Sequence, residues 1–139
     1  MERKKTLKIM LADDDQDDRD FMKFLFDQNS KFEIVGTYAA AEEVLLEIAK
    51  NGNVPDVLMI DLYMPFMTGT ELLAYLIRKN LATGMYTFII SNLINDDEEK
   101  KFLGNPNVKF LKKPVSLKEM NDLPGIILEC LNYRNNTKV

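Results

Sequence analysis

The chain has 139 residues, 46% of them hydrophobic and 29% charged, the size and composition of one globular domain with its own core. A net charge of −4 argues against nucleic acid as the main partner, the lone Cys130 excludes an internal disulfide, and no apolar stretch is long enough for a membrane span. With no histidine, the chain has no Ser-His or Cys-His nucleophile, no imidazole zinc ligand and no phosphohistidine of its own, which leaves carboxylates, lysine, hydroxyls and a hard metal ion.

The segment Met1-Glu2-Arg3-Lys4-Lys5 has no apolar signal core behind it, so a cytoplasmic location is expected, in keeping with the single cysteine. The first apolar run, 7–12, reads as a strand and ends on Asp13 and Asp14. Behind it Phe21, Phe24 and Leu25 have helical spacing, and Asp17, Asp18 and Asp20 read as the solvated, dipole-favoured start of that helix. A second strand is expected at 33–38. Ala41, Val44, Leu45, Ile48 and Ala49 then form a helical stripe. The third strand, 57–61, ends on Asp61 and is followed by Leu62-Tyr63-Met64-Pro65 and Gly69.

Thr68-x-x-Glu71 is a capping box that opens a helix carrying Leu72, Leu73, Leu76 and Ile77. A fourth strand, 86–91, ends on Ser91. The spacing predicts a short charged helix from Asp96 to Leu103, stopped by Gly104 and Pro106. The last run, 108–111, leads to Lys113-Pro114, and Ser116-x-x-Glu119 is a second capping box. Pro124-Gly125 is expected to kink or interrupt the final helix, and the polar tail from Asn132 to Val139 to fray.

Strands alternating with helices imply an α/β fold, a doubly wound parallel sheet covered on both faces. Such sheets bind ligands beyond the carboxyl ends of their strands, where Asp13, Asp14, Asp61, Ser91 and Lys113 all fall. The spacing Asp13-x-Asp15-x-Asp17 suggests an EF-hand but fails, because Asp18 stands at the glycine position and Phe24 at the terminal glutamate. Two carboxylates about 5 Å apart repel by roughly 3 kcal/mol at an effective dielectric near 20. Gathering three therefore favours a divalent cation, and Mg2+ suits carboxylates that also meet phosphoryl oxygens. With Lys113 as a point charge and Ser91 as a hydroxyl donor, Asp61 reads as a phosphoryl acceptor.

These residues resemble the receiver domain of two-component response regulators, and the resemblance covers nearly the whole chain. It implies a (βα)5, flavodoxin-like sheet with strand order 2-1-3-4-5, one receiver domain over 1–139 with a core of about 6–133, and no output domain. It makes Asp13 and Asp14 the acidic metal pair, Asp61 the phosphoacceptor, and the backbone carbonyl of Tyr63 a further ligand to Mg2+ or Mn2+. Ser91 and Phe110 become switch residues, and Lys113 precedes a cis proline. The implied donor is a sensor histidine kinase or a histidine phosphotransfer protein. The implied output is a phosphorelay or direct contact with a target protein through the fourth helix, fifth strand and fifth helix, from a monomer or weak homodimer. Neither nucleic acid nor membrane is involved.

Asn92 stands where the family commonly has a small residue, Tyr63 is bulky beside the acceptor, and Phe110 lacks a hydroxyl. The first two motivate an alternative, a pseudo-receiver that only binds. A haloacid-dehalogenase-type phosphohydrolase would use Asp13 as nucleophile and Asp15 as acid/base, but Asp17 replaces the expected Thr or Val and no late acidic pair follows Lys113.

Overall fold

The computed structural model of the chain describes residues 6–93 and 95–136, so the charged segment 1–5 and the last tail residues, 137–139, lie outside the described residues. Strands β1 (Leu7–Ala12), β2 (Phe32–Tyr38), β3 (Val57–Asp61), β4 (Tyr86–Ser91) and β5 (Val108–Lys112) alternate with helices. These are α1 (Gln16–Asp27), α2 (Ala41–Leu45, continued by a π-helical turn, Leu46–Lys50), α3 (Gly69–Arg78), α4 (Asp96–Lys100) and α5 (Leu117–Asn136). The strands are parallel in the order β2-β1-β3-β4-β5, the doubly wound α/β arrangement.

Strand side chains alternate between faces, and here they build two cores. Ile9, Leu11, Val57, Met59, Phe88 and Ile90 pack with Met22, Leu25, Phe26, Leu123 and Ile127 of α1 and α5. Met10, Ala12, Leu58, Ile60 and Ile89 pack with Val44, Leu72, Leu73 and Leu76 of α2 and α3. All five side chains of β3 are buried, so the central strand carries Asp61 into a protected position at its end. By the same alternation Asp61 follows Val57 and Met59 onto the α1–α5 side, while Ser91 follows Ile89 onto the other.

The helix starts are built as their caps predict. Asp15 caps α1 by accepting from the Asp18 N–H, and Thr68 and Glu71 close a reciprocal capping box on α3. At α5 the Ser116 hydroxyl accepts from the Glu119 N–H, but Glu119 reaches back to the Val115 N–H, one residue beyond the cap.

Four expectations need correction. The fourth helix ends at Lys100; the Phe102 and Leu103 N–H groups turn to the carbonyls three residues earlier, and Gly104 (φ +86°) breaks the run. The fifth helix runs unbroken through Pro124, held on the sheet by buried Leu123 and Ile127 on either side. It also continues through residues 132–136, so that part of the tail is helical. The Lys113–Pro114 peptide is trans, the isomer favoured for X–Pro bonds by about 0.5–1 kcal/mol.

Candidate functional site

Four elements bring charge to one point beyond the sheet. Asp13 and Asp14 leave β1, Asp61 ends β3, Lys113 follows β5, and Asp18 lies in the first turn of α1. The Lys113 Nζ stands 2.7 Å from Asp13 Oδ2, 2.8 Å from Asp18 Oδ2 and 3.3 Å from Asp61 Oδ2. Its own backbone N–H donates to the Ser91 carbonyl at 2.7 Å, which ties the β5 exit to the β4 end.

The carboxylates differ in surroundings. Asp13 is buried, and its Oδ1 accepts from the Asp15 N–H at 3.0 Å. Its Oδ2 meets the ammonium as an ion contact but makes no directed hydrogen bond, so a buried oxygen keeps a lone pair to spare. Asp61 is 8% exposed and its Oδ1 accepts from the Tyr63 N–H at 3.3 Å. Burial pushes its carboxyl above the ordinary range; Lys113 pulls it down, and Asp13 nearby pushes it up again. Burial would depress the Lys113 ammonium, but close pairing with Asp13 and Asp18 and the field of Asp61 outweigh this and raise it above the ordinary lysine value.

Asp13, Asp14 and the Asp61 carboxylate each offer an oxygen, all within 4.8 Å of one another. With the spare lone pair on Asp13 Oδ2, that donor set fits a hard divalent cation. Asp14 is exposed, the entry side of the group.

Gly69 holds the loop behind Asp61. Its N–H donates to the Leu62 carbonyl at 2.9 Å, and a Cβ there would meet the Asp61 carbonyl oxygen at 2.7 Å. Tyr63 has its ring half exposed, and its hydroxyl accepts from Asn95 Nδ2 at 2.6 Å. Ser91 is buried, its Oγ accepting from the Leu93 N–H at 3.2 Å. Phe110 meets Phe102 in a tilted pair, ring centroids 6.1 Å apart at 41°, and lines, with Ser91, Leu93 and Asn95, a cleft of about 150 Å3 between β5 and α4.

The predicted Asp13, Asp14, Asp61 and Lys113 therefore converge, with Ser91 at the adjoining strand end and Phe110 on the far side of Ser91. Asp18, read from the sequence only as a solvated helix start, joins them. The missed signal was positional: Asp15 is the cap, Asp18 the third helical residue, and Cα–Cβ bonds tilt toward a helix N-terminus, here toward the strand ends.

A parallel β2-β1-β3-β4-β5 sheet covered by helices on both faces, with acids and a lysine at its carboxyl edge, defines a doubly wound, flavodoxin-like α/β class of protein. The family model described as the response regulator receiver domain matches residues 9–123, and the chain belongs to that family. A CheY-like response regulator receiver domain protein from Methanospirillum hungatei superposes with a TM-score of 0.76 at 25% identity, covering 95% of this chain and 98% of the other. A Francisella response regulator receiver domain gives 0.69 at 29% identity, with 89% and 98% covered. The response regulator domain of Thermotoga maritima CheB gives 0.73 at 20%, with 94% and 98% covered. No curated protein matches the chain significantly. Receiver domains serve two-component signalling, bind Mg2+ at an acidic pocket and are not in general true enzymes. Among the described residues, no helix is long and apolar enough to cross a membrane.

Proposed function

We propose that this receiver domain takes a phosphoryl group on Asp61 from the phosphohistidine of a sensor histidine kinase or a histidine phosphotransfer protein. The donor N–P bond breaks with its electron pair returning to the imidazole, as an Asp61 carboxylate oxygen bonds to phosphorus. The observation that carries this reading is the buried Lys113 ammonium held between Asp13 and Asp61 at the strand ends, a cation beside a nucleophile that burial keeps poorly solvated.

Asp13, Asp14, Asp61 and the Tyr63 backbone carbonyl would hold Mg2+ or Mn2+, and the spare lone pair of Asp13 supports that assignment. Such a cation supplies charge neutralisation for the phosphoryl oxygens. Lys113 neutralises them from the opposite side, and the Ser91 hydroxyl donates to one of them. Ser91 borders the cleft lined by Phe110, so its shift toward the phosphoryl group lets the Phe110 ring turn inward.

The output runs through α4, β5 and α5, to a target protein or as a phosphorelay intermediate, without nucleic acid and from a monomer or weak homodimer. α4 buries no side chain, and Leu93, Leu103 and Leu117 are exposed around this face, so a rearrangement there disturbs little core. The alternative of a pseudo-receiver gains little from Tyr63, whose ring is half exposed and engaged with Asn95. Asp15 is occupied as the α1 cap, which disfavours the acid/base role a phosphohydrolase would need.

Intact-protein mass after incubation with acetyl phosphate, with and without Mg2+, tests the reading on wild type and Asp61→Asn. One Mg2+-dependent phosphoryl adduct, absent from the variant, is expected. An adduct that survives in Asp61→Asn would overturn the assignment.

A further inference from the structure

Asp18 is outside the acidic group suited to a cation, yet it makes one of the three carboxylate contacts of Lys113. Its side chain is 35% exposed, against 5% for Asp13 and 12% for Asp61. A lysine ammonium has three donor protons, and here three different carboxylates surround them. A phosphoryl group on Asp61 would carry about −1.5 to −2 where the carboxylate carried −1, and its oxygens would compete for the same ammonium. Asp13 and Asp61 face it from inside the pocket. Asp18 reaches it from the solvent side, where screening makes an ion pair weakest and easiest to give up.

We propose that Asp18 is a positioning residue that holds Lys113 in the unphosphorylated protein and yields it to the phosphoryl group, so the first turn of α1 opposes phosphorylation and responds to it. The inference rests on the reading of Asp61 as acceptor. It assigns a response to α1, an element outside the α4–β5–α5 face. The Asp18 N–H stays bound to Asp15 Oδ1, so the helix start survives the exchange while the side chain loses its partner.

The test is beryllofluoride binding at saturating Mg2+, followed by 19F NMR on wild type, Asp18→Asn, Asp18→Glu and Asp17→Asn. Asp17→Asn removes the same charge from an exposed neighbour and controls for net charge. Asp18→Asn is expected to bind on the order of fivefold tighter than Asp17→Asn, the scale of one partly exposed ion pair. Asp18→Glu should return to the wild-type affinity. In 1H–15N spectra, beryllofluoride should also shift the backbone amides of residues 17–19 more in wild type than in Asp18→Asn, a difference that a merely structural aspartate does not produce. Equal affinities for Asp18→Asn and Asp17→Asn, or weaker binding by Asp18→Asn, would overturn the role of Asp18 alone. Wild-type protein that binds no beryllofluoride would overturn the acceptor reading together with it.

Discussion

A Cβ on Gly69 would stand 2.7 Å from the backbone carbonyl oxygen of Asp61, so the first residue of α3 and the last of β3 are packed backbone to backbone. Real Cβ atoms do not approach so closely, and the obstacle is main chain, which cannot rotate away. Gly69→Ala is therefore expected to cost about 1–3 kcal/mol through forced backbone shifts. Urea denaturation should register the loss. Gly125→Ala is the matching control: nothing lies within 4 Å of its Cβ, it is exposed in α5, and it should gain about 0.5–1 kcal/mol.

Asp61→Asn should abolish the phosphoryl adduct and, without divalent cations, stabilise the fold at neutral pH. Burial raises the folded-state pKa of this carboxyl above its unfolded value. Between the two values the folded protein binds more protons, so stability falls as pH rises through that window and stays lower above it. The penalty disappears below the unfolded pKa. Thermal melts in EDTA should show the variant's advantage at neutral pH shrinking in acid; an advantage unchanged by pH would refute this account.

Lys113→Ala leaves Asp13 and Asp61 buried without their cation, at an expected cost of about 3–5 kcal/mol. Mg2+ should return part of that stability, measured as a larger rise in Tm than wild type shows. Because the raised folded-state pKa of Lys113 belongs to the charged form, the wild-type contribution is present at neutral pH and is lost as alkaline pH passes through it. Phosphorylation-dependent partner binding should vanish in Lys113→Ala. If it persists, Lys113 does not couple the site to the surface.

Phe66 has φ 71° and is 98% exposed, a left-handed backbone with no packing in return. Phe66→Gly removes the Cβ clash while adding unfolded-chain freedom, and the balance should favour the variant by about 0.5–1 kcal/mol. Differential scanning calorimetry would detect it as a higher Tm. A lower Tm would mean that the ring is held by contacts of its own.

α4 has no buried side chain and hangs on polar ties: Asn95 caps it and donates to the Tyr63 hydroxyl, and Thr70 donates to Glu98 at 2.5 Å. Asn95→Ala should cost about 1 kcal/mol as a lost cap and speed amide hydrogen exchange in α4 without touching β4. The Thr70 hydrogen bond, then Lys101, lowers the Glu98 pKa. That contribution is therefore present above the unfolded glutamate value and lost as pH falls through the folded one, so the protection of α4 amides, relative to their intrinsic exchange rates at each pH, should fall in acid.

How much of this was legible in the chain follows residue by residue. The strand ends at Asp61 and Ser91 were readable because an apolar run that stops on a polar residue marks the edge of a core. The caps at Thr68 and Ser116 were readable from local spacing. An interruption at Pro124 follows from the local penalty alone; the burial of Leu123 and Ile127 on either side offsets it, and that burial is not a local property. The early end of α4 at Lys100 turned on backbone hydrogen bonds that charge patterning does not report.

The alternation of strands and helices, the two-faced strands and the set of acids and lysine that the fold must gather are all written along the chain. Periodicity and chain order carry that information, since burial selects side chains one element at a time. Which carboxylates share Lys113 is set by how the elements pack. Asp13, Asp18 and Asp61 come from α1 and two strand ends separated along the chain, and side-chain geometry across elements, not any local pattern, sets 2.7, 2.8 and 3.3 Å.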